Sequence, residues 1–527
     1  MSTEGDAAVH ERAPRTANDS EAGIDDVDAA LRSEVAALPT RRSDRLWSRL
    51  TGDDSFRRGT IATWALLIVV AAFVVQGTLR FDFRDEPIAG DQSTYLMQAL
   101  SLSAPDHNMT YDGADMDRWR DVGWVPSPTS LFFQRSDDDW VFAKPFGYSA
   151  YLAVFIGLFG ITGVAVGNSV LVLALASLVV ATLRMRFRGP VVPLATISFV
   201  FASYAYMYGY PIHADLFLAV VTALMSYVAL WAWRTRRLGL AIVAGALMAV
   251  TLPEKPQLIG LYLPIVVALV WRQRRVMSMF AVAIVAIVAF AVATAPYRTL
   301  SDGKAWNAYE GERYITSGST PFDHPGLASK FECPPICPMT PEVSLTSIDG
   351  VRTRIEQGRG GFASAFYYFF GRHTGLLVFI PFSLMALVAA VCAYRRLDGL
   401  GWALLVGIGG YIALNVMVFP NNYYGGGQSL GDRYFLQVAP ITVALLVAAK
   451  IGDRVVLAIS VASIVLGMLF LWPQHRDPAE AFIRIDRTSP LQRLLPLERN
   501  QDGVKFFRCP IYGDCSQTEQ VIPGFRR

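Results

Sequence analysis

Charge is scarce in this chain of 527 residues. Only 17% of its residues are Asp, Glu, Lys or Arg while 53% are hydrophobic, and its mean hydropathy is +0.34. A soluble chain would carry about a quarter charged residues and divide into several separate cores, so that class is excluded. A net charge of +3 is too small to point to nucleic acid as a partner. Lysine is rarer still: Lys144, Lys255, Lys304, Lys330, Lys450 and Lys505 stand among 47 basic residues, a bias that reads as GC-rich bacterial codon usage. No internal repeat recurs at a fixed period, which speaks against an inverted-repeat transporter.

What is present in quantity is apolar runs. About 20 consecutive apolar residues cross a bilayer, and the sequence supplies eleven such segments: 59–79, 164–183, 190–211, 215–233, 238–253, 256–271, 276–296, 374–394, 400–419, 435–450 and 454–472. Residues 1–40 hold nine acidic and three basic side chains and no aromatic, a composition that does not offset its ordering entropy, so 1–58 is expected to be a mostly disordered tail with a basic juxtamembrane end. Arg41, Arg42, Arg45, Arg49, Arg57 and Arg58 precede the first run, which lies too deep in the chain for a cleaved signal and so reads as an anchor with a cytoplasmic N-terminus.

Short basic clusters follow at Arg184/Arg186/Arg188, Arg234/Arg236/Arg237, Arg272/Arg274/Arg275, Arg395/Arg396 and Lys450/Arg454. If each is a cytoplasmic turn, only one net crossing separates the first span from Arg184, so the short aromatic stretch 147–160 is placed as an interfacial or re-entrant helix. The expectation is an all-α polytopic protein of the plasma or inner membrane, a 59–472 domain of eleven transmembrane helices plus outer-surface juxtamembrane helices. Large outer loops follow at 80–146 and 297–373, and the tail 473–527 is extracytoplasmic. Residues 80–143 hold twelve acidic and five basic side chains, the reverse of the cytoplasmic turns. Cys333 and Cys337 fall in the second outer loop and Cys509 and Cys515 in the tail, two close pairs that suggest two small disulfide loops, with a zinc site from all four as the rival.

The first outer loop carries Arg84-Asp85-Glu86-Pro87, then Gly90-Asp91-Gln92-Ser93-Thr94-Tyr95-Leu96-Met97-Gln98-Ala99. Helical spacing from Gln92 onward makes Asp91 the N-cap of an amphipathic helix near the membrane surface, and capping and catalysis are both open to it. Asp85 is the alternative carboxylate, with Glu86 beside it. Lys144-Pro145-Phe146-Gly147-Tyr148, His213-Ala214-Asp215, Val250-Thr251-Leu252-Pro253-Glu254-Lys255-Pro256 and Gly431-Asp432-Arg433-Tyr434-Phe435-Leu436 lie at the same ends of other apolar runs. Arg433 follows a flexible stretch, Asn421 to Gln428, whose glycines allow close approach to a ligand. For Lys144 and Lys255 snorkelling to headgroups weighs as much as function. His213 with Asp91 would suit a divalent cation, against simple local hydrogen bonding. The stripe Tyr204, Tyr206, Tyr208, Tyr210 reads as an interfacial belt, with sugar stacking as the alternative.

These segments resemble, in order, the motifs of GT-C-type glycosyltransferases of the lipid A aminoarabinose transferase and protein O-mannosyltransferase group. Asp91 to Ala99 is similar to the first-loop motif, Lys144-Pro145 to K-P-P without its second proline, Asp215 to a second aspartate, Thr251 to Pro256 to L-T-K-G-P with three residues inserted, and Arg433-Tyr434 to R-Y-L-L-P. The likeness runs from about residue 59 to 450. It implies a GT-C-like fold and inverting transfer of a sugar from a polyprenyl-phosphate donor to a lipid, glycan or protein acceptor of the cell envelope. Such chemistry needs a base for the acceptor hydroxyl and cations for the departing phosphate. Asp91 is then the base with Asp215 assisting, while Lys144, Lys255 and Arg433 bind phosphate and Tyr95, His213 and Tyr434 line the pocket. No cofactor is required by these residues. The competing readings are a transporter or lipid flippase, which would place charged or broken helices at mid-membrane in paired halves, and an inactive envelope scaffold.

Overall fold

A computed structural model describes residues 53–82, 91–111, 115, 119, 121, 132–136, 139–273, 276–300, 313–316, 336–338, 361–419, 423–425, 429–482 and 488–498. Residues from Ile61 onward form one compact unit; of the unit before it, only the start of the first helix is among those described. The helices are α1 (Asp53–Arg80), α2 (Asp91–Ser103), α3 (Phe146–Phe159), α4 (Gly163–Arg184), α5 (Val191–Thr196), α6 (Ala214–Thr235), α7 (Leu238–Thr251), α8 (Ile259–Gln273), α9 (Val276–Leu300), α10 (Gly361–Phe370), α11 (Leu376–Phe379), α12 (Pro381–Cys392), α13 (Gly399–Val418), α14 (Arg433–Val438), α15 (Pro440–Ala448) and α16 (Asp453–Arg476). The protein is mostly helical, and among the described residues six helical stretches are long and apolar enough to cross a membrane. Large apolar side chains such as Phe73 on α1 and Met277 and Ile287 on α9 lie open on the surface, an arrangement suited to an apolar solvent rather than to water.

The expected spans differ in kind. Those at 59–79, 164–183, 215–233, 276–296, 400–419 and 454–472 fall on long continuous helices. The other five form shorter or interrupted ones, so helix length alone does not deliver eleven crossings. Proline and tight packing account for the breaks. The 190–211 segment changes from α5 into a π turn at Ile197–Phe201 and a 3-10 turn at Ala205–Gly209. The 374–394 segment stops at Phe379 and restarts at Pro381, and the 435–450 segment is divided by Pro440. The 147–160 stretch is neither separate nor free: Gly160, at φ +60°, reverses the chain so that α3 folds back along α4. Tyr148 donates to Asn168 (2.9 Å) and Tyr151 to the Gly167 carbonyl (2.7 Å) across this hairpin.

The all-α expectation misses a small sheet. Strands β1 (Thr110–Tyr111), β2 (Phe132–Ser136), β3 (Asp139–Phe142), β4 (Arg313–Thr316) and β5 (Ile336–Pro338) pair antiparallel in the order β1-β3-β2-β4-β5. Its first three strands come from the loop before α3 and its last two from the loop after α9, so strands of the two large loops pair in one sheet. The α2 helix is not the amphipathic surface helix expected: Gln92 through Leu102 are all buried.

The basic turns meet. Arg186 donates to the carbonyls of Lys450 and Ile451, Arg234 to that of Met185, the Trp233 indole to Asp398 (2.8 Å), and the Arg272 guanidinium lies 4.9 Å from the Trp233 ring. Helix α6, 22 residues long, ends at this arginine-rich pole and begins at Ala214, with Asp215 in its first turn, about 33 Å away along its axis.

Close helix contact predicts one stability effect. Gly467 of α16 faces the Ala202 carbonyl, into which a Cβ would run. Glycine to alanine within a helix ordinarily stabilises by about 0.5–1 kcal/mol, but Gly467→Ala is expected to lower stability by roughly 1–3 kcal/mol through overpacking, read as a drop in the unfolding temperature of the detergent-solubilised protein.

Candidate functional site

Three of the longer helices start at one place. Asp91 opens α2, Lys144 and Pro145 lead into α3, and His213 in extended conformation precedes α6, whose first turn holds Asp215. Their N-terminal N–H groups and dipoles favour negative charge there. Arg433 opens the short α14, whose N-cap Asp432 accepts from the Phe435 N–H (3.0 Å).

The side chains complete what the helix ends begin. Lys144 Nζ donates to Asp91 Oδ1 (2.5 Å), and Arg433 Nη2 donates to Asp91 Oδ2 (3.1 Å). The second arm of Arg433 donates from Nη1 to His213 Nδ1 (3.3 Å), which lies 4.0 Å from Asp215 Oδ2, while Gln437 Nε2 donates to Asp215 Oδ1. The Asp91 side chain is 22% exposed, against 11% for Lys144 and 12% for Arg433, so the cluster is sheltered yet open to a ligand at the aspartate.

Electrostatics fix the protonation states. Burial pushes the Asp91 carboxyl up, but Lys144, Arg433 and the neighbouring His213 overcome it and hold the group well below the usual carboxylate range. Burial, reinforced by Arg433, pushes His213 down to about 4, so it is neutral. Accepting from Arg433 at Nδ1 places its proton on Nε2. The guanidinium thus engages Nδ1, while the buried Nε2 has no hydrogen-bond partner among the described residues. Among the described residues no group of three or more His, Cys, Asp or Glu side chains is placed to hold a metal ion.

Hydrogen bonds hold the site's backbone. Gln98 donates to the Lys144 carbonyl (3.0 Å), Ser149 to Gln98 Oε1 (2.7 Å) and to the Tyr95 carbonyl (3.1 Å), and Gln92 Oε1 accepts from the Ile212 N–H (3.3 Å). The tyrosine stripe is no interfacial belt: Tyr204, Tyr206, Tyr208 and Tyr210 are buried. Tyr204 donates to the Asp432 carbonyl (2.6 Å) and Tyr208 to that of Leu430 (2.9 Å), bracing the turn that delivers Arg433. Gly425, at φ +103°, is required here because the Arg433 side chain crosses where a Cβ would project.

The remaining expected residues divide. Lys255 does not join the pair on Asp91; its Nζ sits 4.3 Å from the centre of the Tyr434 ring, which also carries Arg433 at 5.6 Å. Tyr95 lies under Lys144 with its ring centre 5.9 Å from Nζ, and packs edge-to-face on Tyr148. Asp85, Glu86, Cys333, Cys509 and Cys515 lie outside the described residues, as does the side chain of Cys337, whose backbone belongs to β5. Residues 1–52 lie outside them too.

Sequence reasoning missed two polar partners. Gln437 is one helical turn from Arg433 in an otherwise apolar stretch, a spacing that puts both on one face. Glu254, taken only as an inserted residue, accepts from the Gly147 N–H (2.5 Å) at the start of α3. Thus one turn touches both cation-bearing segments, Glu254 that of Lys144 and Lys255 that of Arg433.

Burial pushes the Glu254 carboxyl up to about 7, against the opposing pull of the Gly147 hydrogen bond and Lys255. A carboxyl raised above its unfolded value stabilises the fold while protonated, and that contribution is lost as pH rises through about 7. Thermal stability is therefore expected to fall between pH 5 and pH 7 by on the order of 1–3 kcal/mol, and Glu254→Gln should flatten that slope. An unchanged slope in the variant would remove Glu254 as its source. Compared with known proteins, the chain matches no family model, and no curated protein is significantly similar to it.

Proposed function

We propose that the protein is a GT-C-like membrane glycosyltransferase that moves a sugar, with inversion, from a polyprenyl-phosphate donor to an acceptor on the extracytoplasmic side of the cell membrane. One observation carries this reading: a carboxylate, Asp91, is held by two cations, Lys144 and Arg433, drawn from 53 and 342 residues away, beside the start of α6, a helix of membrane-spanning length. The arginine-rich pole at the far ends supports an orientation with that pole in the cytoplasm and the Asp91 cluster outside, by the bias of basic residues toward cytoplasmic turns.

Charge and geometry suit the chemistry. Lys144 and Arg433 balance Asp91 and Asp215, with His213 neutral, so the cluster takes an anion by exchanging it for Asp91 as the partner of the two cations. A donor phosphate replaces the Asp91 carboxylate as partner of Lys144 and Arg433, Arg433 through two parallel N–H groups and Lys144 as a point charge. Displaced from both cations, Asp91 loses what depresses its pKa and becomes a better base where the phosphate has docked. The acceptor hydroxyl oxygen then bonds to the anomeric carbon, the bond from that carbon to the phosphate oxygen breaks, polyprenyl phosphate leaves against the cations, and the hydroxyl proton passes to Asp91. Asp215, fixed by Gln437, orients the acceptor.

The transporter reading fits less well. Its substrate site would be expected near mid-membrane between repeated halves, whereas this cluster gathers at one pole of α6.

Comparison of envelope glycans by mass spectrometry between a gene deletion and the parent strain is expected to show loss of one glycan modification. Asp91→Asn and Arg433→Ala should each fail to restore it, with activity down by about 100-fold or more. Full rescue by both variants would end the catalytic assignment and put the transporter or scaffold ahead.

A further inference from the structure

The segment that follows the last long helix is bound tightly to the body of the protein, although no part of the proposed chemistry uses it. Ser489 and Gln492 cap each other, the Gln492 N–H donating to Ser489 Oγ (3.1 Å). The Arg372 guanidinium donates to the carbonyls of Arg493 (2.7 Å) and Leu495 (3.0 and 3.1 Å), its backbone N–H donates to the Pro496 carbonyl (3.0 Å), and Gln492 Nε2 returns a bond to the Arg372 carbonyl (2.7 Å). Five hydrogen bonds thus fix Gln492–Pro496 to the turn between α10 and α11.

Glu498 ends the contact and is fully buried. Its Oε1 accepts three bonds at once, from the His373 N–H (2.8 Å), the Thr374 N–H (2.9 Å) and Thr374 Oγ1 (2.9 Å). A carboxyl group is costly to bury, and three donors on one oxygen are the compensation that keeps it there. The same Thr374 hydroxyl lies 2.8 Å from the Tyr423 hydroxyl. Tyr423 adjoins Tyr424, whose carbonyl accepts the Arg433 N–H (3.1 Å), and Gly425, across which the Arg433 side chain lies. A continuous path of hydrogen bonds and covalent neighbours therefore runs from Glu498 through Thr374, Tyr423 and Tyr424 to Arg433, and from Arg433 to Asp91.

We infer that residues 489–498 are a strap that sets the position of Arg433, with Glu498 as a positioning residue acting through Thr374 and Tyr423. The loop 423–433 needs such a hold. Gly425 and Gly431 have positive φ, a freedom at those two positions that ordering the turn has to overcome. Tyr204 and Tyr208 brace its later half at Asp432 and Leu430, whereas Tyr423 in its earlier half is reached from the strap through Thr374. That Arg433 is the cation for a donor phosphate rests on the proposed function; that the strap positions Arg433 does not.

Hydrogen exchange of the full-length protein in lipid nanodiscs, read by mass spectrometry over 371–374, 423–433 and 488–498, tests the strap. Glu498→Ala is expected to speed exchange in 423–433 by at least about tenfold, the effect of losing about 1.4 kcal/mol of local stability. Glu498→Gln, which keeps the accepting oxygen, should restore most of the protection. Tyr423→Phe separates relay from fold: it should loosen 423–433 while leaving 488–498 as protected as in the parent protein. If either Glu498→Ala or Tyr423→Phe leaves exchange over 423–433 unchanged, the strap does not position Arg433 and the inference is overturned. A second arm measures binding of polyprenyl monophosphate, which both variants should weaken by about tenfold, equally about 1.4 kcal/mol. Absence of binding to the parent protein would count against the glycosyltransferase reading and leave the exchange result standing. Parent-level binding by variants with a loosened loop would overturn the strap's part in phosphate recognition.

Discussion

A carboxylate gripped by a cation on each oxygen is the interaction on which the rest of this protein is organised. Asp91, Lys144 and Arg433 are partly withdrawn from water, where any one of them alone would be costly to hold. Together they satisfy one another, provided that three remote stretches of chain are brought within hydrogen-bond reach. Much of the surrounding architecture serves that meeting: the N-terminus of α2, the hairpin of α3 on α4, and the tyrosines and glycines around the turn into α14. Because the pairing is electrostatic and one member stays accessible, the same pair of cations is suited to exchange the carboxylate for another anion without refolding.

The bundle separates its charges along its length. Arginines at the ends of α4, α6 and α8 gather at one pole, tied to carbonyls and to Trp233 and Asp398. Asp91, Asp215, Lys144 and Arg433 gather at the other. The helices between are nearly free of charge, as an apolar solvent requires. Breaks in the ladder occur where another element compensates. The π and 3-10 turns of 197–209, for example, present Tyr204 and Tyr208 to the Arg433 turn, a use that a straight helix with side chains at 3.6-residue spacing does not offer.

Much of this was legible in the residues. Apolar runs and basic turns indicate a multi-pass protein, and Asp91, Lys144, His213, Asp215 and Arg433 stand out because ionisable groups at the ends of apolar runs are costly. The sheet was not legible, because its strands are two to five residues long and come from loops far apart in sequence, so no periodicity announces them. Tyr204 to Tyr210 misled because aromatic residues at a span's end serve equally as a belt or as a brace, and composition does not distinguish the two. In the sequence Lys255 stands at the same helix ends as Lys144 and Arg433. Its place over the Tyr434 ring depends on how the turn before α8 folds.

The sequence by itself determined the solvent, the presence of many membrane helices and the identity of the charged residues at their ends, because each follows from local composition and from the cost of burying charge. Only the tertiary structure decided which of those residues touch. Hydrogen bonds act over about 3 Å, and a linear pattern carries no information at that range about segments separated by hundreds of residues. Packing of α2, α3, α6 and α14 set Lys144 and Arg433 on the two oxygens of Asp91 and placed Gln437 on Asp215, and the turn between α10 and α11 set Thr374 between Glu498 and Tyr423.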